Sequence, residues 1–341
     1  MKTNKNIFAN VWAQRGLILA VLIIIMLIGN RSFFSLGNLR TILMSIAIYG
    51  TMCCGMLLCM LTGGIDLAMG STAAFTSVVC LWYYNGHGMT DGAFVIGLLM
   101  AIGCAVLVGI LHGVCDAYLL LPSFVVTLAT SKLLYGLASA LLKGSFIHLT
   151  NTEGFFYKIA NTKLFGAIPM PIVIFLAAAL VVGLILSLTV FGRRVYAVGA
   201  NRAAAELVGI KSRIFRVGCY VICSLSACLG GIVLTSMNYI TSATTAQGYE
   251  MMIMLALVVG GADIMGGYGD IPGAIFGALL AGIVENMIVM LNINTNYSKA
   301  VQGIIIVLAV AFNVYNNRKS AGLIAPRKKR AAPAEKKEAQ S

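Results

Sequence analysis

The chain has 341 residues, 60% of them hydrophobic and 10% charged, with a mean hydropathy of +0.93. A soluble domain carries roughly 25% charged residues; one globular core could not hide this much apolar surface, so a water-soluble fold is excluded. The net charge of +13 does not mark a nucleic-acid binder, because 17 of the 24 basic residues fall in three segments: before residue 16, between Arg193 and Arg216, and after Asn317. Basic residues gather at the cytoplasmic ends of membrane spans, so here charge encodes orientation.

About twenty apolar residues cross a bilayer. That length places spans near 16–30, 39–61, 69–84, 93–115, 123–143, 171–191, 214–236, 251–262, 273–292 and 299–315. The expectation is an all-α polytopic membrane protein of about ten transmembrane helices. The third and eighth are short and glycine-broken, and the count falls to eight or nine if a short one is re-entrant. The first run has no A-x-A-like site after it and reads as a retained span. Residues 1–15 form a cytoplasmic N-terminus, 16–315 the transmembrane domain, with a cytoplasmic loop over 192–213. Residues 316–341 read as a basic, disordered cytoplasmic tail near anionic lipid. An even count brings all three basic segments to the cytoplasm. The outside loops then fall near 31–38, 85–92, 144–170, 237–250 and 293–298. The longest, Gly144 to Met170, exceeds a simple connector and either caps the bundle or docks a partner.

Nine cysteines form no C-x-x-C pair and lie in or beside apolar runs, where cysteine behaves as a small hydrophobe. They support neither disulfides nor a metal site. His87, His112 and His148 are scattered and read as loop or packing residues. No G-x-x-x-x-G-K-[ST], H-E-x-x-H or G-x-S-x-G occurs, so no nucleotide cradle or hydrolytic centre is expected and the chain reads as a non-enzyme.

One internal echo stands out. "GGIDLAMG" at Gly63–Gly70 matches "GGADIMGG" at Gly260–Gly267, and Asp66 pairs with Asp263. Glycine-interrupted spans in matching places of two halves point to a transporter with an internal duplication. Acids inside spans are costly and are functional candidates by default. Here they are Asp66, Asp116, Glu250, Asp263, Asp270 and Glu285. Asp66, Asp263 and Asp270 sit in glycine-rich breaks, where a carboxylate can accept freed backbone N–H groups. Glu285, with Asn286 beside it, is expected to face the bundle interior or a wet path. Glu250 is expected at the outer start of a span, where an acid suits a helix N-terminus.

The segment "GANRAAAELVGI" (199–210) is small and polar between two apolar runs. Asn201 is a good N-cap, "RAAAEL" is strong helix material, and Gly209 is placed to stop the helix. A helix of two turns does not stand alone, so something must hold it. Its alanines suit a close fit in a protein groove better than an anchor in lipid.

Taken together, "FGRRVYAVGANRAAAELVGI", "GGIDLAMGS", "LPSFVVTLATSKLLYGLA" and "GYEMMIMLALVVGGADIMGGYGDIPGAIFGALLAGIVEN" resemble the permease subunits of bacterial ABC sugar importers of the ribose/galactose/xylose/autoinducer-2 type. The resemblance covers roughly residues 40–315. It implies that Asn201, Arg202, Ala203, Ala204, Glu206, Leu207 and Gly209 form a coupling helix seated on a separate ATP-binding subunit. It implies that ATP and Mg bind there, with no cofactor on this chain. It also implies a second permease subunit, identical or paralogous, and an extracytoplasmic sugar-binding protein. Candidate pathway or gating positions are Gly63, Gly64, Asp66, Phe124 and Thr127 in the first half. Glu250, Gly260, Gly261, Asp263, Glu285 and Asn286 are further candidates in the second half. The chain departs from the family where "EMMIMLALV" replaces E-L-x-x-I-A-A and where Ala68 and Met69 replace Ser-Val, which bears on the solute. An ion-coupled carrier, which needs acids converging at mid-membrane, and an ABC permease for nucleosides or branched-chain amino acids remain the alternatives.

Overall fold

The computed structural model describes residues 11–292 together with Tyr297, Ala300, Gly303, Ile304 and Val307. Most of the expected span 299–315, and all of the tail 316–341, lie outside the described residues. Twelve helices occur among the described residues: α1 (Val11–Gly29), α2 (Leu36–Leu61), α3 (Met69–Gly86), α4 (Asp91–Ala117), α5 (Ser123–Leu142), α6 (Phe155–Asn161), α7 (Met170–Leu188), α8 (Val190–Ala200), α9 (Arg202–Leu207), α10 (Ser212–Asn238), α11 (Tyr249–Val259) and α12 (Ile271–Met290). Four two-residue strands interrupt the all-α expectation: β1 (Ile147–His148), β2 (Lys163–Leu164), β3 (Ile168–Pro169) and β4 (Ile240–Thr241).

Local chemistry sets the boundaries. The Ser35 and Thr90 hydroxyls and the Asp270 carboxylate accept backbone N–H groups of Asn38, Ala93 and Gly273 at 3.3, 3.1 and 2.8 Å, starting α2, α4 and α12, as N-caps do. Six helices are long and apolar enough to cross a membrane among the described residues: α2, α4, α5, α7, α10 and α12. These six account for six of the ten expected spans; α11, with 11 residues, rises only about 16 Å and is too short to cross by itself. The run expected at 171–191 stops at Leu188, because Thr189 accepts the Gly192 N–H (3.1 Å) and starts α8.

α2 is the spine. In its most apolar stretch 83% of residues are buried, against 28% in α7, so α2 is enclosed by protein while α7 turns much of its surface to lipid. α7, α10, α11 and α12 pack around α2, and α4 packs on the far side of α10. The α4–α10 approach depends on Gly109 and Gly113, one turn apart. A Cβ at either would sit 2.5 Å from the Cα of Val221 or Val217. Small residues at four-residue spacing let membrane helices meet backbone to backbone.

The two ends of the bundle differ. At one, β1 pairs antiparallel with β4. Asn85 donates to the His148 carbonyl (2.9 Å), Asn151 to that of Met89 (3.0 Å), and the Phe155 N–H to Asp91 (2.9 Å). Three expected outside loops, 85–92, 144–170 and 237–250, thus build one cap, which β2, β3 and α6 complete. At the other end lie α8, α9 and the two glycine breaks.

The chain after β4 returns into the bundle. Contacts along α3 act as a ruler. Tyr84 packs on Phe156 of the cap (5.7 Å), the Ser77 and Thr241 hydroxyls meet at 3.1 Å, and Gly70 lies against the Ala246 carbonyl and the Glu250 carboxylate. From Tyr84 to Gly70 is 14 residues of helix, about 21 Å. The Tyr249 ring also packs on Tyr49, midway along α2, with centroids 4.7 Å apart. Residues 242–248 therefore re-enter the bundle, and α11 starts at mid-depth, not at the surface as the sequence suggested. Irregular backbone at such depth survives only inside protein or beside a water-filled cavity.

Replacing Gly113 with valine forces α4 off α10. We expect a loss of about 1–3 kcal/mol, seen as a lower thermal midpoint and a smaller monodisperse fraction in detergent; Gly103→Val, where a Cβ meets open space, should change neither.

Candidate functional site

The segment singled out in the sequence is built from local rules. The Asn201 carboxamide oxygen accepts the Ala204 N–H at 3.0 Å and starts α9. Gly209 at φ +83° ends it: the Gly209 N–H reaches the Glu206 carbonyl and the Ile210 N–H that of Ala205, both at 3.0 Å. This is the paired C-terminal closure that a left-handed residue permits. Glu206 braces the helix. Its carboxylate accepts from Arg202 Nε (3.1 Å) and from the Ser212 hydroxyl at the start of α10. The Ser212 hydrogen bond first, and Arg202 second, hold its carboxyl below the ordinary carboxylate range. A depressed value means the brace is complete above the ordinary range and is lost as pH falls through the lowered value.

The outward face of α9 is unusual. Ala205 is buried, but Leu207 is 89% exposed and Val208 76% exposed. Two large apolar side chains stand free at the end of a six-residue helix.

Behind α9, three backbones touch. The Gly267 N–H donates to the Leu61 carbonyl, the last residue of α2, at 2.9 Å. Gly199, at the end of α8, lies so close to that carbonyl and to Gly267 that any Cβ would overlap them. Gly266 sits against Gly63 in the same way. The two glycine breaks therefore lie side by side beneath α9. Their aspartates act alike: Asp66 accepts the Ala68 N–H and Asp263 the Met265 N–H, each at 2.9 Å. The likeness then fades, because α3 begins three residues after Asp66 and α12 eight after Asp263. Gly63 and Gly261 take left-handed φ values, +78° and +89°, to turn the chain out of α2 and α11. Gly64 leaves room for the Tyr220 hydroxyl, and Gly260 for the Gly273 backbone.

The first break is pinned from α5. Thr127 accepts the Leu67 N–H (3.1 Å) and Ser123 that of Ile65 (3.3 Å), while Phe124 is exposed. Asp66 is fully buried with its second oxygen 3.3 Å from His112 Nδ1. Sequence reading took His112 for a packing residue, and 46 positions separate it from its partner. The buried Asp116 pairs with the partly buried Arg216 at 2.6 Å, so Arg216 is more than a flanking positive charge. The Asp116 carboxyl and the Tyr220 hydroxyl are also neighbours, and the Tyr220 ring meets His112 edge-on at 6.1 Å. A polar string therefore runs from the first break toward the root of α9.

The other sequence candidates lie elsewhere. Asn286 and Asn38 exchange amide hydrogen bonds at 2.8 and 2.9 Å, and Glu285 faces the Tyr49 and Ser45 hydroxyls. Both positions tie α12 to α2 inside the bundle. Glu250 is corrected from the outer surface to mid-depth; one oxygen accepts the Gly248 N–H at 3.2 Å and the other is buried without a partner. Apart from Glu250, which has Asp66 as an electrostatic neighbour, the acids have separate partners, and no three of the His, Cys, Asp and Glu side chains form a metal-holding group among the described residues.

Residues 38–310 match the family described as the permease component of branched-chain amino acid transport systems. The chain belongs to this permease family. It is 31% identical over 313 residues to the L-arabinose transport system permease protein of Escherichia coli, covering 91% of this chain and 93% of the relative. It is 32% identical over 292 residues to the ribose import permease protein of Bacillus subtilis (86% and 89%). It is 30% identical over 301 residues to a probable ABC transporter permease of Sinorhizobium fredii (87% and 88%). No solved structure matches. This permease is accordingly a multi-pass inner-membrane transport subunit of an ABC importer, not an enzyme.

His112→Leu strips the Asp66 carboxyl of its buried partner. Breaking such a pair costs about 3–5 kcal/mol, and we expect a clearly lowered thermal midpoint in detergent; an unchanged midpoint would show that the pair carries no stability.

Proposed function

We propose that this permease forms the passage for a sugar or sugar-like solute and is driven by an ATP-binding subunit that seats α9. The observation that carries the ATPase contact is the pair Leu207 and Val208, exposed on a helix too short to stand in water by itself. Apolar groups so placed call for a groove on a partner, and Asn201, Arg202, Ala203, Ala204, Glu206 and Gly209 shape the helix that presents them. ATP and Mg belong to that partner.

Closure of an ATPase pair would displace α9. Gly199 and Gly267 would pass the displacement to the end of α2 and to both breaks, because backbone presses on backbone there. A second permease subunit would supply the other half of the passage. The capped end would face outward and receive the solute-binding protein, with both termini and α9 in the cytoplasm. The choice of sugar rests on the arabinose and ribose permeases, which the chain matches along most of its length; the amino-acid wording describes the family as a whole. An ion-coupled carrier is disfavoured because Asp116, Asp263, Asp270 and Glu285 have separate partners and only Asp66 and Glu250 are near each other, with no group of three among the described residues.

Purification of the tagged permease in mild detergent should bring down an ATP-binding subunit. Leu207→Asp should abolish that association and ATP-driven uptake while leaving membrane abundance unchanged. ATPase recovery at the wild-type level with Leu207→Asp would refute the seating of α9. Deleting residues 327–341 should leave uptake nearly intact, as expected of a basic tail that only visits lipid; a transport loss at normal abundance would give the tail a working role.

A further inference from the structure

α5 carries a feature that neither the hydropathy pattern nor the coupling site uses. Its polar residues recur every four positions: Ser123, Thr127, Ser131, Tyr135 and Ser139. Neighbours four apart share a face, and the row as a whole winds obliquely around the helix, by about 160° from Ser123 to Ser139. The lower part, Ser123 and Thr127, pins the first glycine break. The middle part has no such task. Lys132 beside it is exposed, nine residues from the first and ten from the last residue of α5, hence about 14 Å from either end. Hydrocarbon does not hold an ammonium at that depth without water or a partner, and snorkelling does not span the distance.

The re-entrant segment reaches the same level. Glu250 is an electrostatic neighbour of both Lys132 and Tyr135. Its second carboxylate oxygen and the Tyr135 hydroxyl are both buried without a hydrogen-bond partner. Thr244 and Gln247, just before it in the chain, are exposed although the contacts of Gly70 and Ser77 place this segment deep in the bundle. Two elements far apart in sequence thus present one charge and several neutral hydrogen-bonding groups at mid-depth, on a surface that lipid would penalise.

We propose that Lys132 and Tyr135 of α5, with Thr244, Gln247 and Glu250 of the re-entrant segment, form a water-filled wall of the passage on which the moving solute makes its hydrogen bonds. The assignment of a polyhydroxyl solute to this wall rests on the sugar reading above; the wall itself rests on depth, exposure and unpartnered polar atoms. Neutral groups beside one cation and one carboxylate offer donors and acceptors to hydroxyls without holding them tightly.

Thr244→Cys and Gln247→Cys, each in the assembled transporter in membranes, test the wall. A charged methanethiosulfonate reacts with thiolate, which forms in water and not in lipid; the unaltered chain, with nine native cysteines, gives the background. Both variants should label above background, Leu137→Cys on the apolar face of α5 should not, and saturating L-arabinose or D-ribose should slow labelling several-fold. In parallel, Lys132→Met should lower uptake at least tenfold at normal complex abundance, with Lys132→Arg retaining it. Background labelling at 244 and 247, or wild-type uptake by Lys132→Met, would overturn the wall. Protection by a branched-chain amino acid and by neither pentose would uphold the wall and overturn the sugar reading.

Discussion

Every backbone N–H and C=O that leaves a helix within the membrane must be satisfied by protein or by enclosed water. This one requirement organises the fold. α2 ends at Leu61 and α11 at Val259, beside one another at the α9 end of the bundle, and the freed groups are met in a fixed way. Asp66, Asp263 and Asp270 take N–H groups, Thr127 and Ser123 take two more, and Leu61 receives Gly267. The breaks are tied to one another because each supplies part of what the other lacks.

That mutual dependence divides the molecule into two chemically distinct ends. The cap is held by the β1–β4 pairing and by side chains: asparagine amides, an aspartate and packed aromatic rings join loops from three parts of the chain. The opposite end is held by bare backbone at Gly199, Gly266 and Gly267. A cap knit by side chains suits a surface that receives a partner. A junction of bare backbone suits a place where one segment must follow another closely. The enclosed α2 joins them.

Much of this was legible in the sequence, where the determinants are local. The caps of α9, Asn201 and Gly209, lie nine residues or fewer apart, and the structure places its ends there. The roles of the three break aspartates followed from glycine next to acid. The long apolar runs gave most spans. What stayed hidden was set by distant contacts. Glu250 reads as the outer edge of a span because a hydropathy window does not see Gly70 holding it at mid-depth. His112 reads as packing until Asp66 is brought to it, and Arg216 as an orientation charge until Asp116 is. The four-residue polar row of α5 was readable, but an apolar average over twenty residues conceals a polar row that winds around the helix.

The contact of Gly199 with the Leu61 carbonyl has a mechanical side. Side chains interposed between two segments act as soft springs, since rotamers shift before backbones do, and part of any push is absorbed. Here no side chain intervenes. The junction has almost no compliance, so on the proposed seating of α9, a push at Leu207 would pass through α8 to the end of α2 and on to the glycine breaks as through one lever. A stroke passed on in this way would take its length from backbone geometry rather than from the chemistry of the solute carried.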